Sequence, residues 1–143
     1  MKSLFDLSGK VALVTGSSRG LGYAIAEAMI AQGATVIVSS ENAEDTAAAA
    51  AALGAVPFAC DVSDDAAIAG LIADITRRFG GLDILVSNAG IQGGSPADPF
   101  DMTVFDRGMA VSLRSMVALT KHALPHMTAR PGASVILMAS IAG

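Results

Sequence analysis

Apolar positions in this chain follow two patterns that alternate along its length. Short unbroken runs, "KVALVTG" (10–16), "ATVIVSS" (34–40), "AVPFACD" (55–61), "LDILVSNAG" (82–90) and "ASVILMAS" (133–140), have strand length and are bounded by Gly, Asp or Ser. A run that is apolar on consecutive positions rather than on every second one predicts a strand covered on both faces, so five buried strands are expected. Between the runs, apolar residues recur at helical spacing. Leu21, Ala24, Ile25, Ala28 and Met29 form one stripe that closes at Gly33, and the alanine-rich stretch 42–53 closes at Gly54. Ser63, with Asp64 and Asp65 behind it, predicts an N-cap and an acidic first turn for a helix that ends near Gly80. A longer helix is predicted from about Thr103 to Pro125 and a little beyond. The alternation βαβαβαβαβ predicts an α/β fold: a doubly wound parallel sheet with right-handed crossovers and helices on both faces. No repeat, linker or second domain breaks the pattern.

Composition narrows the classes of function. Hydrophobic residues make up 52% of the 143 and charged residues 15%, which supports a packed core and excludes a disordered, charge-rich segment. The net charge of −4 comes from 9 basic and 13 acidic residues without a basic run, so no nucleic-acid or anionic-lipid partner is expected. The N-terminus "MKSLFDLSGK" has no apolar signal core, and no apolar run approaches the ~20 residues of a membrane span. A cytoplasmic protein without a membrane partner is therefore expected. The single Cys60 permits neither an internal disulfide nor a multi-cysteine metal site and reads as a small core residue. The run Ala47–Ala52 reads as a solvent-facing helix. His122 and His126 are four apart, but Pro125 stands between them and no H-E-x-x-H glutamate accompanies them, so no metal site is expected.

The first chemical signal is "VTGSSRGLG" (14–22). Thr15, Gly16, Gly20 and Gly22 fall where a strand becomes a helix. Glycines at that junction let backbone N–H groups approach a pyrophosphate at the positive end of a helix. The spacing is T-G-x-x-x-G-x-G, distinct from G-x-G-x-x-G, and no G-K-[ST] follows, which excludes a Walker loop. The turn predicts a phosphate-bearing cofactor site, with a plain glycine-rich turn as the alternative.

Taken with "DV" at Asp61–Val62, "SNAG" at 87–90, "SLRS" at 112–115 and the serine strand at 134–140, this turn resembles the N-terminal part of a short-chain dehydrogenase/reductase, in family order and essentially from end to end. The resemblance implies a single NAD(P)-binding domain of Rossmann type over 1–143, lacking the C-terminal strands of the family fold. It implies that Thr15, Gly16, Ser17, Ser18, Arg19, Gly20, Leu21 and Gly22 hold the pyrophosphate. Asp61 would bond the adenine, Val62 would add a backbone contact, and Asn88, Ala89 and Gly90 would support the sheet and line the nucleotide ribose. Asp61 as a strand end and Asn88 as a turn former are the plainer alternatives.

Ser40 and Glu41 stand at the end of the second strand, where an acidic residue suits the ribose 2′-OH of NAD and a basic one the 2′-phosphate of NADP. Neither of the family's usual patterns is matched. Arg19 could meet a 2′-phosphate, whereas Glu41 would repel it or neutralise the arginine, so the balance favours NAD over NADP. Glu41 as a first-turn helix acid is the plainer alternative.

Ser140 matches the family serine that bonds the substrate carbonyl or hydroxyl. Ser112 stands where the family has an asparagine holding a relay water, and Ser87 replaces the first Asn of "NNAG". The resemblance implies hydride transfer between nicotinamide and an alcohol or carbonyl substrate, with a Y-x-x-x-K pair moving the proton. The 143 residues contain no such pair: the one tyrosine is Tyr23, directly after the glycine turn, and Lys121 precedes the serine strand. Little or no turnover by this chain alone is therefore expected. The alternatives are a noncatalytic nucleotide-binding module or a half-domain that needs a partner. A homo-oligomer through the long helix 103–128, which includes "MVALTKHALPHM" (116–127), is also expected.

Overall fold

A computed structural model describes residues 4–91 and 97–141. Five strands form one parallel sheet in the order β3-β2-β1-β4-β5: β1 Val11–Thr15, β2 Thr35–Ser39, β3 Val56–Pro57, β4 Ile84–Ser87 and β5 Ser134–Leu137. Five α-helices connect them: α1 Gly20–Ala31, α2 Ala43–Leu53, α3 Asp65–Phe79, α4 Met102–Met109 and α5 Ser115–Met127. The expected doubly wound α/β fold is present.

The continuous apolar runs are explained by two cores, one on each face of the sheet. Leu13, Ile37 and Leu85 point to one face and pack with Ile68, Ile72 and Ile75 of α3 and Leu119 and Ala123 of α5. Ala12, Val14, Val36, Val38 and Val86 point to the other and pack with Ala26 of α1 and Ala49 and Ala50 of α2. Every residue of β1 and β4 is buried. Among the described residues, no helix is long and apolar enough to cross a membrane.

Several expectations need correction. The run 133–140 forms the short β5, and it is not buried: Val135, Ile136 and Leu137 are 36%, 43% and 50% exposed. Apolar composition alone could not reveal that β5 is a sheet edge, hydrogen-bonded to β4 on one side only. At the opposite edge β3 shrinks to two residues, although Phe58 N and Cys60 N still donate to Val38 O and Ser40 O at 3.0 and 2.9 Å. The helical stripe proposed for α1 is rotated: Leu21, Ala24 and Ala28 are exposed, while Gly22 and Ala26 face the sheet. Small residues rather than the largest apolar ones let this helix lie close to β1.

Ser63 is not the cap of α3. Asp64 takes that place, its Oδ1 accepting from Ala66 N and Ala67 N at 2.8 and 3.2 Å, because the Ser63 hydroxyl is engaged by Asp61. The single long helix is divided. It starts at Met102, capped by Asp101, and between α4 and α5 the residues Ala110–Arg114 form a π-helical turn. Such turns widen a helix locally and re-aim its side chains.

Candidate nucleotide cleft

The carboxyl ends of β1, β2, β3 and β4 open onto a cleft of about 280 Å³. It lies where the chain order reverses: β2 follows β1 on one side, and β4 lies on the other. Doubly wound sheets form their crevice at this switch point. The β1–α1 turn contributes Gly16, Ser18 and Arg19, the end of β2 contributes Ser40 and Glu41, the segment after β3 contributes Asp61 and Val62, and the segment after β4 contributes Asn88, Ala89 and Gly90. These predicted residues, distant in sequence, meet around one space.

The glycine turn is held from behind. Thr15 is fully buried, and its Oγ1 accepts from Asn88 N and Ala89 N at 3.0 and 3.2 Å. Asn88 Nδ2 returns bonds to Thr15 O and Gly16 O, both at 3.1 Å. Ser17 is also buried; its Oγ donates to Val14 O at 2.6 Å and accepts from Ser39 N at 3.0 Å. The side chains of Thr15 and Ser17 therefore brace the turn instead of lining the cleft. Gly16 has φ +63°, and a Cβ there would lie 2.8 Å from Ala89 Cα. At Gly22 a Cβ would lie 2.3 Å from Gly16 O, so the turn and α1 can approach this closely only without side chains. Gly20, Leu21 and Gly22 open α1 beside the cleft rather than lining it.

Three helices carry capping side chains: Asn42 on α2, Asp64 on α3 and Asp101 on α4. Helix α1 does not. It begins at Arg19 without a side-chain cap, and Ser18 and Arg19 line the cleft. The positive dipole end of α1 therefore has no side-chain cap where Ser18 and Arg19 line the cleft.

Across the cleft, Asp61 accepts from Ser63 N and Oγ at 2.9 and 2.7 Å and from Arg107 at 3.2 Å. The Ser63 hydroxyl first, then its amide and the Arg107 guanidinium, hold the Asp61 carboxyl below its ordinary range. Burial, followed by the charges of Asp61 and Asp64, pushes the neighbouring Cys60 thiol up to about 11. Cys60 lines the cleft as an uncharged thiol. Arg107 was missed by the sequence reading, as were Asn42, Asp45, Ile91 and Val111 in the same lining. Nothing near Arg107 in sequence marks it, because its partners lie more than forty residues away.

Ser112 and Ser140 are outside this lining. Ser112 sits in the π-helical turn, its Oγ donating to Ile91 O at 3.1 Å and accepting from Ile91 N at 3.2 Å, which ties that turn to the segment after β4. Ser140 follows β5 and is exposed. The Ser87 hydroxyl is buried at the end of β4 without a hydrogen-bond partner, as is that of Ser39 at the end of β2. Among the described residues, no group of three or more His, Cys, Asp or Glu could hold a metal ion.

A twisted parallel sheet with helices on both faces and a switch-point cleft at its carboxyl edge defines the Rossmann-type class of α/β domains. The chain belongs to the short-chain dehydrogenase family, whose model matches residues 10–143. It is 36% identical over 141 residues to the D-threitol dehydrogenase of Mycolicibacterium smegmatis, covering 95% of this chain and 54% of that protein. It is 38% identical over 140 residues to a sorbitol dehydrogenase of Cereibacter sphaeroides, covering 96% and 55%. A hydroxynaphthalene reductase of Aspergillus fumigatus is 37% identical over 142 residues, covering 95% and 51%. The crystal structure of a Sinorhizobium meliloti 1021 protein assigned as a short-chain alcohol dehydrogenase superposes with a TM-score of 0.84 at 36% identity, covering 93% of this chain and 55% of that one. The chain thus spans about half the length of the relatives it matches.

Proposed function

We propose that the cleft binds a nicotinamide adenine dinucleotide, with its pyrophosphate at the start of α1 and its adenosine end between Glu41 and Asp61. The uncapped α1 terminus, opening beside a glycine turn braced by Thr15 and Asn88, carries this reading. Anions are favoured at such an end because unsatisfied N–H groups and the helix dipole act together. Gly16, Ser18, Arg19 and Gly20 would hold the pyrophosphate, and Asn88, Ala89 and Gly90 would line the nucleotide ribose. Glu41 favours the 2′-hydroxyl of NAD over the 2′-phosphate of NADP.

The bound cofactor supplies hydride exchange with a small alcohol or carbonyl substrate. Ser140 would bond the substrate oxygen and Ser112 a water beside it, in a cytoplasmic oxidoreductase that includes a complete acid/base pair. The 143 residues by themselves bind the nucleotide and turn over little or nothing. Tyr23 is half-buried against the core on α1 and Lys121 is exposed on α5, so neither forms the required pair.

A second reading concerns association. Phe105, Met109, Leu113 and Val117 recur every four residues along α4, the π-helical turn and α5, and all are exposed. With the open edge of β5, this stripe favours a homo-oligomer or a half-domain completed by a partner. Titration of purified 1–143 with NADH and NADPH, followed by nicotinamide fluorescence and sedimentation together, tests both readings. Saturable NADH binding by a soluble species is expected. A folded species that binds neither cofactor would sink the dinucleotide reading, and a monomer at all concentrations would sink the second.

A further inference from the structure

Arg107 lies on α4, outside every motif that pointed to the cleft, yet it joins two of the loops that form it. Its Nη2 donates to Glu41 Oε2 at 2.9 Å. Its Nη1 donates to Asp61 Oδ2 at 3.2 Å and to Ser63 Oγ at 2.6 Å. The side chains of Arg107, Glu41 and Asp61 are 41%, 65% and 42% exposed, which places the network at the mouth of the cleft with water on one side. One guanidinium facing two carboxylates leaves a net charge of −1. Arg107 is therefore already neutralised where a ligand would meet it.

We infer that Arg107 is the positioning residue that sets the cleft's choice between a ribose 2′-hydroxyl and a 2′-phosphate; this rests on the dinucleotide reading above. With Nη2 bound to Oε2, the Glu41 carboxylate is pinned at the mouth, and its other oxygen has no protein partner among the described residues. That oxygen can accept from a hydroxyl. A phosphate arriving at the same point meets Glu41, Asp45 and Asp61, all lining the cleft, and a cation whose bonds are committed. Removing the Glu41 charge reverses this. The rigid guanidinium fork keeps its bond to Asp61, and its Nη2 hydrogens, facing at most a neutral amide oxygen, can donate to a phosphate instead. Arg19, the other cation in the lining, has no ion pair among the described residues. A gain routed through Arg19 would not need Arg107 and would survive its removal, which separates the two cations.

The test titrates the wild-type chain, E41Q, R107M and the E41Q/R107M pair with NADH and NADPH, alongside thermal melts by circular dichroism. E41Q is expected to tighten NADPH binding about tenfold while weakening NADH, the size of one charge-assisted hydrogen bond. The gain should vanish in E41Q/R107M, and R107M alone should weaken NADH more than NADPH. R107K, which keeps the charge without the fork, should retain only part of the gain in the E41Q background and serves if R107M fails to melt cooperatively. A gain that persists without Arg107, or an equal loss of both cofactors in R107M, overturns the inference and leaves the dinucleotide reading standing. A cooperatively melting wild type that binds neither cofactor overturns both.

Discussion

Asp83 at one end of the sheet and Asp61 at the other put a carboxylate to opposite uses. At the amino ends of the strands, Asp83 is almost wholly buried, its side chain 3% exposed. Its Oδ2 accepts from Val11 N at 2.8 Å, its own N–H donates to Val11 O at 2.9 Å, and its carbonyl accepts from Ser134 N at 2.9 Å. Lys10 and Arg130 each stand 3.8 Å from its oxygens. It thereby ties β1, β4 and β5 together. At the carboxyl ends, Asp61 bonds side chains and a loop amide at the mouth of a cleft and is 42% exposed. Both carboxylates are satisfied. The difference lies in what they satisfy: main chain in a dry interior is a commitment to one structure, whereas half-wet side chains can exchange partners with a ligand.

Substitutions should separate these ends. The largest effect is expected from Gly22→Ala, whose Cβ would meet Gly16 O at 2.3 Å and Asn88 Nδ2 at 2.6 Å. Neither the turn nor Asn88 can move without breaking the brace to Thr15, so a loss of about 3 kcal/mol or more is expected, with NADH binding abolished. Chemical denaturation and fluorescence titration measure the two. Next comes Asp83→Ala, which leaves the buried Val11 N–H without an acceptor. It should cost about 2 kcal/mol in urea unfolding while the NADH-to-NADPH affinity ratio stays at its wild-type value. A changed ratio would contradict the division of labour between the two ends.

A smaller effect belongs to Asp61. Its carboxyl titrates below the ordinary value of 3.8 in the folded chain, so its contribution is present above that value and fades as pH falls through it. Because water screens the half-exposed network, about 0.5 kcal/mol is at stake. Wild type and Asp61→Asn should therefore differ in melting temperature near neutral pH and converge as acid protonates the folded-state carboxyl, below its ordinary value of 3.8. The smallest effect concerns Cys60, whose thiol is pushed up to about 11. It should react slowly with a disulfide reagent at pH 8 in the folded chain and rapidly in urea, and saturation with NADH should slow it further.

The sequence carried much of the fold because its information is local. Unbroken apolar runs in 10–16 and 82–90 mean strands with both faces covered, and the two cores on either side of β1 and β4 follow from that. The glycine turn at 16–22 was equally legible, since a left-handed Gly16 and the near contact at Gly22 leave room for no other residue. Its order with Asp61 and Asn88 was enough to place three walls of the cleft.

What tertiary structure alone decided depends on contacts far apart in the chain. Whether 133–140 is central or peripheral turns on its neighbours, and having β4 on one side only leaves its apolar residues exposed. Ser63 reads locally as a helix cap because Asp64 and Asp65 follow it as an acidic first turn; Asp61 and Arg107 engage it instead, and Asp64 caps the helix. Arg107 carries no periodic or spacing signal, and its partners lie 44, 46 and 66 residues away. Local period and turn chemistry determined which segments are strands, helices and glycine turns. Which charged groups face one another across the cleft was decided only when the crossovers brought β2, β3 and α4 to the same edge, because a side chain's electrostatic partners are set by distance in space and not along the chain.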